Sequence, residues 1–443
     1  MLSEAFITAI RAQPKTANTA IAKDIGIYLH ELHPTPTIRS SFKKSSAPVN
    51  ALAVSSTHIF AAQADKAVVH VYSRERGNQE ALISFPERIH SLTLIGDTVL
   101  ALGTAEGRVI LWEVCTGRQV STPAAHFQSV STLAATQSHL LSGSEDSNIH
   151  VWSLPQLLSL SSKETSEPLR SLSNHRAAIT NLALGHSAST TNICVSASRD
   201  NTVVVWNYLS GDLLRTFLLP STPLCLAVDP CDRAVYVGFE DGSVQLIEFL
   251  QSNSANHPLY DPKLQNTPMQ STLVPWTAPS DVGSTLCIGL SYDGTCLISG
   301  HASGKIAFWD TGRRLFSAEI ADLNAPVTNL LMQSLLPKKL STKAATVVKP
   351  RLGEGNYIFT AQLTGSLGVS KFDHAVSTPG FPAEMLEDAI LRFSQFSQPA
   401  AASSSGHEQL RKENEDLWKI INDQRELQKK TWEKYTKLKA KEA

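Results

Sequence analysis

One local pattern recurs seven times between His30 and Trp309: a strand of small residues, a tight turn usually carrying Asp or Gly, then a β-branched strand ending at one comparable position. His30, Tyr72, Trp112, Trp152, Trp206, Ile247 and Trp309 hold that position, at intervals of roughly forty residues that two insertions lengthen. A repeat of this length and composition makes one four-stranded blade, and a blade leaves apolar faces that only its neighbours can cover. The spacing therefore predicts an all-β chain closed into a seven-bladed β-propeller over residues 1–335.

The clearest copies are Ser142-Gly143-Ser144-Glu145-Asp146 before Trp152 and Ser196-Ala197-Ser198-Arg199-Asp200 before Trp206. Asp146 and Asp200 suit turns because a carboxylate accepts hydrogen bonds from backbone N–H groups that a turn leaves unpaired. Weaker copies precede Trp112, Ile247 and Trp309, and together these motifs resemble the WD-repeat family. The first repeat offers only three strand-like runs, Glu4–Ile10, Asp24–Glu31 and Thr37–Phe42. Its missing strand is expected from the far end, near residues 326–332, where it would lock the ring. An eight-bladed count rests on Tyr357–Gln362 and Gly368–Phe372, which flank a turn but lack the aromatic residue.

A chain of 443 residues, 42% hydrophobic and 18% charged, suits a large soluble scaffold. Its net charge of −1 argues against dominant attraction to nucleic acid or to an anionic membrane. No apolar run is long enough to span a bilayer, and Met1–Ala5 lacks the basic flank of a signal peptide, so the expected setting is intracellular without a membrane partner. Six cysteines without a Cys-x-x-Cys pair suggest neither a zinc site nor a disulfide framework. No metal or cofactor is expected.

His126, Ser142 and Asp146, like His175, Ser196 and Asp200, supply the residue types of a hydrolase triad. Catalysis, however, needs one activated nucleophile with donors aimed at the developing oxyanion. Residues that return blade after blade fit an architectural hydrogen-bond network instead, and no phosphate-binding glycine loop or His-Glu-x-x-His motif is present. The chain reads as a non-enzyme.

Three segments depart from the repeat. Leu154–Leu172 lengthens the link between blades four and five, and Gln251–Val282 the link between blades six and seven. The latter embeds Tyr260 and Trp276, candidate aromatic anchors for a partner. The third departure lies in the extended connector 336–384, where Lys338, Lys339, Lys343, Lys349 and Arg351 form a basic stretch. Such a stretch could follow an RNA phosphate backbone, but no aromatic interleaves it for base stacking, and a solvated connector is the simpler account.

Beyond the ring, Met385, Leu386, Ala389, Ile390, Phe393 and Phe396 fall on one stripe of a short amphipathic helix, 385–396, with Phe393 and Phe396 as candidate partner contacts. A Ser/Ala/Gly-rich linker, 397–406, follows. Residues 407–443 contain no Pro or Gly and read as one helix with a heptad seam. Leu410, Leu417, Gln424, Thr431 and Leu438 take one set of seam positions, and Asn414, Ile421, Gln428 and Tyr435 the other. Self-association through Leu410, Asn414, Leu417, Ile421, Tyr435 and Leu438 is expected, giving a homodimer. Trp418, Ile420, Leu427 and Trp432 widen the stripe, and Trp418 and Trp432 become candidate contacts for another protein.

The order of these features, with His30-Glu31-Leu32-His33 in the first blade, Ala61-Ala62-Gln63 in the second, Pro326-Val327-Thr328-Asn329 at closure and Leu410–Leu417 in the terminal helix, resembles the WD-repeat subunits of the nuclear pre-rRNA-processing complex of large ribosomal subunit assembly. Departures are Ile247 in the sixth aromatic position and the basic stretch Lys338–Arg351. The resemblance implies a non-enzymatic scaffold in the nucleoplasm or nucleolus. It further implies dimerisation through the terminal helix, a helical-repeat partner subunit, docking on pre-60S particles, support for removal of the second internal transcribed spacer, and recruitment of a midasin-type AAA ATPase. A WD-repeat substrate receptor or adaptor in another complex, such as a ubiquitin ligase, is the competing expectation.

Overall fold

Short runs of β-branched and small residues alternate with turns, and each run becomes a strand. The middle strands are buried on both faces, as in Val99–Thr104 and Ile193–Ser198, because each is covered by a neighbouring sheet on either side. Small residues there permit the approach: a Cβ added to Gly103 would sit 2.7 Å from Val130 Cγ1 of the next sheet. A computed structural model of the chain describes residues 4–12, 25–32, 35–159, 167–186, 192–249, 259, 265, 267–271, 273–278, 282–333, 346–350 and 404–442. Two compact units emerge, Met1–Gly365 and Ser366–Ala443.

Among the described residues the first unit holds seven sheets, one for each repeat, each built on antiparallel strands. Blade 4 is typical, running Val130–Ala135, His139–Ser144, Ile149–Ser153 and Arg170–Leu172 from inner to outer edge. Blade 1 is composite. Its Ala5–Ile10, Ile25–Glu31 and Thr37–Lys43 are joined by Val327–Gln333 from the far end of the ring, with Ile7 opposite Leu331. That strand also fastens the passage into blade 2. Thr328 Oγ1 donates to Ala47 O at 2.8 Å, and Asn329 Nδ2 donates to Pro48 O at 2.7 Å while its Oδ1 accepts from Ala51 N at 2.9 Å.

Seven apolar clusters fill the seven spaces between adjacent blades. The cluster of Phe6, Ile10, Leu32, Ile298, Ile306 and Val327 lies between blades 7 and 1, so the ring is closed and every blade face is covered. The turn aspartates act as the motif predicts: Asp146 Oδ1 accepts from Asn148 N at 2.9 Å, and Asp200 Oδ1 from Thr202 N at 3.0 Å.

Both insertions contribute structure. Leu154–Leu157 forms one helical turn with Pro155 at its start, burying Leu154 and Leu157. Within the second insertion, Met269–Gln270 pairs in parallel with the outer strand of blade 5, and Trp276 exchanges two backbone hydrogen bonds with Val244 on blade 6. The fragment at Trp276 therefore stands where the three-stranded sheet of blade 6 would have its fourth strand. Residues Tyr357–Gln362 and Gly368–Phe372, the basis of an eight-bladed count, lie outside the described residues. The second unit contributes the helix Ser404–Glu442, 39 residues long and about 58 Å at 1.5 Å per residue.

Candidate interaction surfaces

The Ser, His, Asp and Trp residues of the best repeats form closed hydrogen-bond networks. In blade 4, His126 bonds Ser142 Oγ through Nε2 at 2.8 Å and Asp146 through Nδ1 at 3.3 Å, and Trp152 Nε1 donates to the same serine oxygen at 2.9 Å. Blade 5 repeats the arrangement: His175 bonds Ser196 at 2.7 Å and Asp200 at 3.2 Å, and Trp206 donates to Ser196 at 2.8 Å. In blade 7, Ser299 accepts from Trp309 Nε1 at 2.7 Å and meets His301 Nε2 at 2.8 Å. Blade 1 substitutes Thr8 and His30, which meet at 2.9 Å.

Burial sets the protonation of these groups. It holds His30, His126 and His301 down to about 4, and for His126 the neighbouring His150, stacked at 4.2 Å, acts in the same direction against the opposing pull of Asp146. Burial alone would raise Asp146 and Asp200. The hydrogen bonds they accept from backbone and histidine outweigh it, and both lie below the usual carboxylate range. Although the order Asp–His–Ser matches a hydrolase triad, Ser142 and Ser196 are fully buried and each oxygen already accepts an indole N–H. A nucleophile must reach its substrate, so these networks are architecture. Among the described residues no group of three or more His, Cys, Asp or Glu side chains could hold a metal ion, and no helix is long and apolar enough to cross a membrane.

The centre of the ring is bridged by one side chain. Asn50, at φ +57°, donates from Nδ2 to Ser131 O at 3.2 Å and to Thr180 O at 3.0 Å, and accepts from Asn181 Nδ2 at 2.9 Å. It thereby ties blade 2 to blades 4 and 5 across the channel. A cavity of about 330 Å³, lined by Leu52, Leu94, Leu226, Ile288 and Leu331 among others, borders Asn50 on one side. A second one of about 470 Å³ borders it on the other, where the exposed side chains of Glu145, Arg199 and Glu240 stand in equivalent turns of blades 4, 5 and 6.

The aromatic candidates divide sharply. Trp276 is buried, 6% exposed, and packs against Tyr236 and Trp309 with ring centroids 6.0 and 6.4 Å away. The expectation that it anchors a partner is corrected: its backbone is held by Val244, which presses the indole between blades 6 and 7. Tyr260, Phe393, Phe396 and the helix 385–396 lie outside the described residues, as do Lys338, Lys339, Lys343 and Arg351. On the terminal helix, Leu417, Trp418, Ile420, Leu427, Trp432 and Tyr435 are all more than half exposed, Ile421 is partly covered and Asn414 is exposed. The helix positions of Leu410 and Leu438 continue the seam, but their side chains lie outside the described residues. Sequence reasoning passed over Phe127, 93% exposed, whose N–H is held by Asp146 at 2.9 Å. Its signal was an aromatic directly after the network histidine, at a loop position with nothing to pack on.

The model for the WD domain, G-beta repeat, matches residues 117–153 and 166–207, the stretches containing both complete serine–histidine–aspartate–tryptophan networks. Relatives extend further along the chain. Pre-rRNA-processing protein crb3/ipi3 of Schizosaccharomyces pombe is 26% identical over 330 residues, 69% of this chain and 73% of that protein. Pre-rRNA-processing protein IPI3 of Yarrowia lipolytica is 31% identical over 277 residues, 61% of this chain and 64% of its own length. WD repeat-containing protein 18 of Homo sapiens is 26% identical over 306 residues, 68% of each chain. With seven closed blades, and WD repeats matched in blades 4 and 5, the chain is a β-propeller similar to the fungal pre-rRNA-processing proteins IPI3 and crb3/ipi3 and to the animal WD repeat-containing protein 18.

Proposed function

We propose that this chain is a non-enzymatic scaffold subunit in pre-rRNA processing, acting in the nucleus on the maturing large ribosomal subunit. The observation that carries the reading is similarity, over about two thirds of the chain, to proteins named for pre-rRNA processing. The geometry is consistent with it, since the polar residues that could have suggested catalysis are consumed inside the blades. The terminal helix leaves an apolar stripe uncovered, and a seam of this kind is covered by a second copy. In this reading two rings are presented on one dimer, which raises avidity for a large particle if both can engage together. The finer assignments follow the family resemblance: a helical-repeat partner subunit, pre-60S particles, removal of the second internal transcribed spacer, and a midasin-type AAA ATPase.

Purification of the tagged full-length protein from nuclear extract tests the reading. Large-subunit assembly factors and precursor rRNA containing the second internal transcribed spacer are expected to copurify. Recovery of ubiquitin-ligase subunits without precursor rRNA would refute it in favour of a substrate receptor.

A further inference from the structure

The aromatic position of every blade is matched to one residue of the adjacent strand, two places beyond the aromatic's cross-strand partner. That residue is Ser142, Ser196 and Ser299 in blades 4, 5 and 7 and Thr8 in blade 1, and each bonds the Trp or His it faces. Blade 6 carries Val237 with Ile247, so neither partner has a polar group to satisfy. Blades 2 and 3 break the match. Each keeps an aromatic with a donor, Tyr72 or Trp112, while the acceptor position holds Ala61 or Leu102. A buried donor without an acceptor costs more than the net worth of an ordinary hydrogen bond, so both need an acceptor from elsewhere.

Tyr72 finds one next door, donating to Lys43 O at the end of the outer strand of blade 1, at 2.9 Å. Trp112, wholly buried, reaches a carbonyl 236 positions away: Nε1 donates to Val348 O at 3.1 Å. The contact is a docked segment. Val348 N donates to Val114 O at 2.9 Å, and Val347 packs on the cluster between blades 2 and 3. The turn below them is shaped to admit it: at Gly117, φ +75°, an added Cβ would come within 2.7 Å of Val348 Cγ1 and 2.8 Å of Lys349 O.

We propose that the flank of blade 3 beside Trp112 is a docking site for an extended peptide, occupied in cis by residues 346–350. The site recognises a backbone strand through one accepted and one donated hydrogen bond, together with a β-branched side chain at the position of Val347. Its consequence is positional. The closing strand ends at Gln333 in blade 1, whereas residues 346–350 are held against blade 3.

Hydrogen exchange on the full-length protein tests this, read at the Val348 amide and the Trp112 indole N–H. Both are expected to be protected in the wild type. Trp112→Phe, which keeps an aromatic core side chain, is expected to speed Val348 exchange about five- to tenfold, the worth of one ordinary hydrogen bond, while amides of blades 4 to 6 are unchanged. A second variant replaces residues 346–350 by Gly and Ser. It is expected to expose the Trp112 indole to exchange and to bind a synthetic peptide of residues 344–352 that the intact protein does not bind. Val348 exchanging at a free-peptide rate in the wild type would overturn the proposal. So would a Gly/Ser variant that keeps its indole protected and ignores the peptide.

Discussion

Replacing Ser142 by Ala removes one oxygen and leaves two buried ring nitrogens facing a methyl group. Ser142 is fully buried, and its oxygen meets His126 Nε2 at 2.8 Å and accepts from Trp152 Nε1 at 2.9 Å. Leaving one buried polar group unsatisfied costs about 1–3 kcal/mol, so the two together set an expected loss of about 2–6 kcal/mol. The fully buried environment admits no replacement partner without repacking, which places the estimate above the cost of an exposed hydrogen bond. Urea denaturation followed by tryptophan fluorescence reads the loss as a lower midpoint at unchanged slope. Blade 6 shows what compensates, because Val237 faces the position of Ile247 with no polar group on either side. Adding Trp152→Phe to Ser142→Ala removes the orphaned indole N–H, and the double variant is expected to lose at least 1 kcal/mol less than the sum of the two single losses. A Ser142→Ala loss below about 0.5 kcal/mol, or strict additivity in the cycle, would refute the network account.

Three further outcomes are expected. Acidification destabilises the ring between pH 6.5 and about 4: His30, His126 and His301 stay neutral when folded but take up protons at their ordinary value when unfolded, so the unfolded state binds more protons as pH falls. Each contributes about 1–3 kcal/mol of loss, and a denaturation midpoint that stays flat from pH 7 to pH 5 would contradict this. Asn50→Ala removes the bridge across the channel and is expected to cost about 2 kcal/mol, measured as a shift in urea midpoint, with no change in secondary structure by circular dichroism. Deleting residues 407–443 is expected to halve the mass seen in light scattering while leaving the β-rich circular dichroism intact, and an unchanged mass would remove the dimer.

Much of this molecule was legible in its residues because a propeller is written locally. The small-residue strand, turn and aromatic of each repeat lie close together in the chain, and period alone counts the blades. The three-strand inventory of the first repeat pointed to a strand from the far end, and Ile7 does pair with Leu331. Trp276 was misread because exposure is not a local property. An aromatic in a Pro- and Asn-containing insertion looks free until its backbone pairs with Val244 and turns the ring inward. Phe127 stands exposed because Asp146 holds its backbone N–H in the loop, a contact that only the folded blade supplies.

By itself the chain determined its architecture: seven repeats, the positions of the aromatic residues, the turn aspartates and the helical character of its end all follow from short-range periodicity and residue type. The tertiary structure decided which separate segments answer one another's unmet needs. That Asn50 spans the channel to Ser131 and Thr180, and that Trp112 finds its acceptor at Val348, depends on donors and acceptors brought together only when the ring closes. A buried polar group must be paired, but nothing in a periodic pattern says by which distant residue.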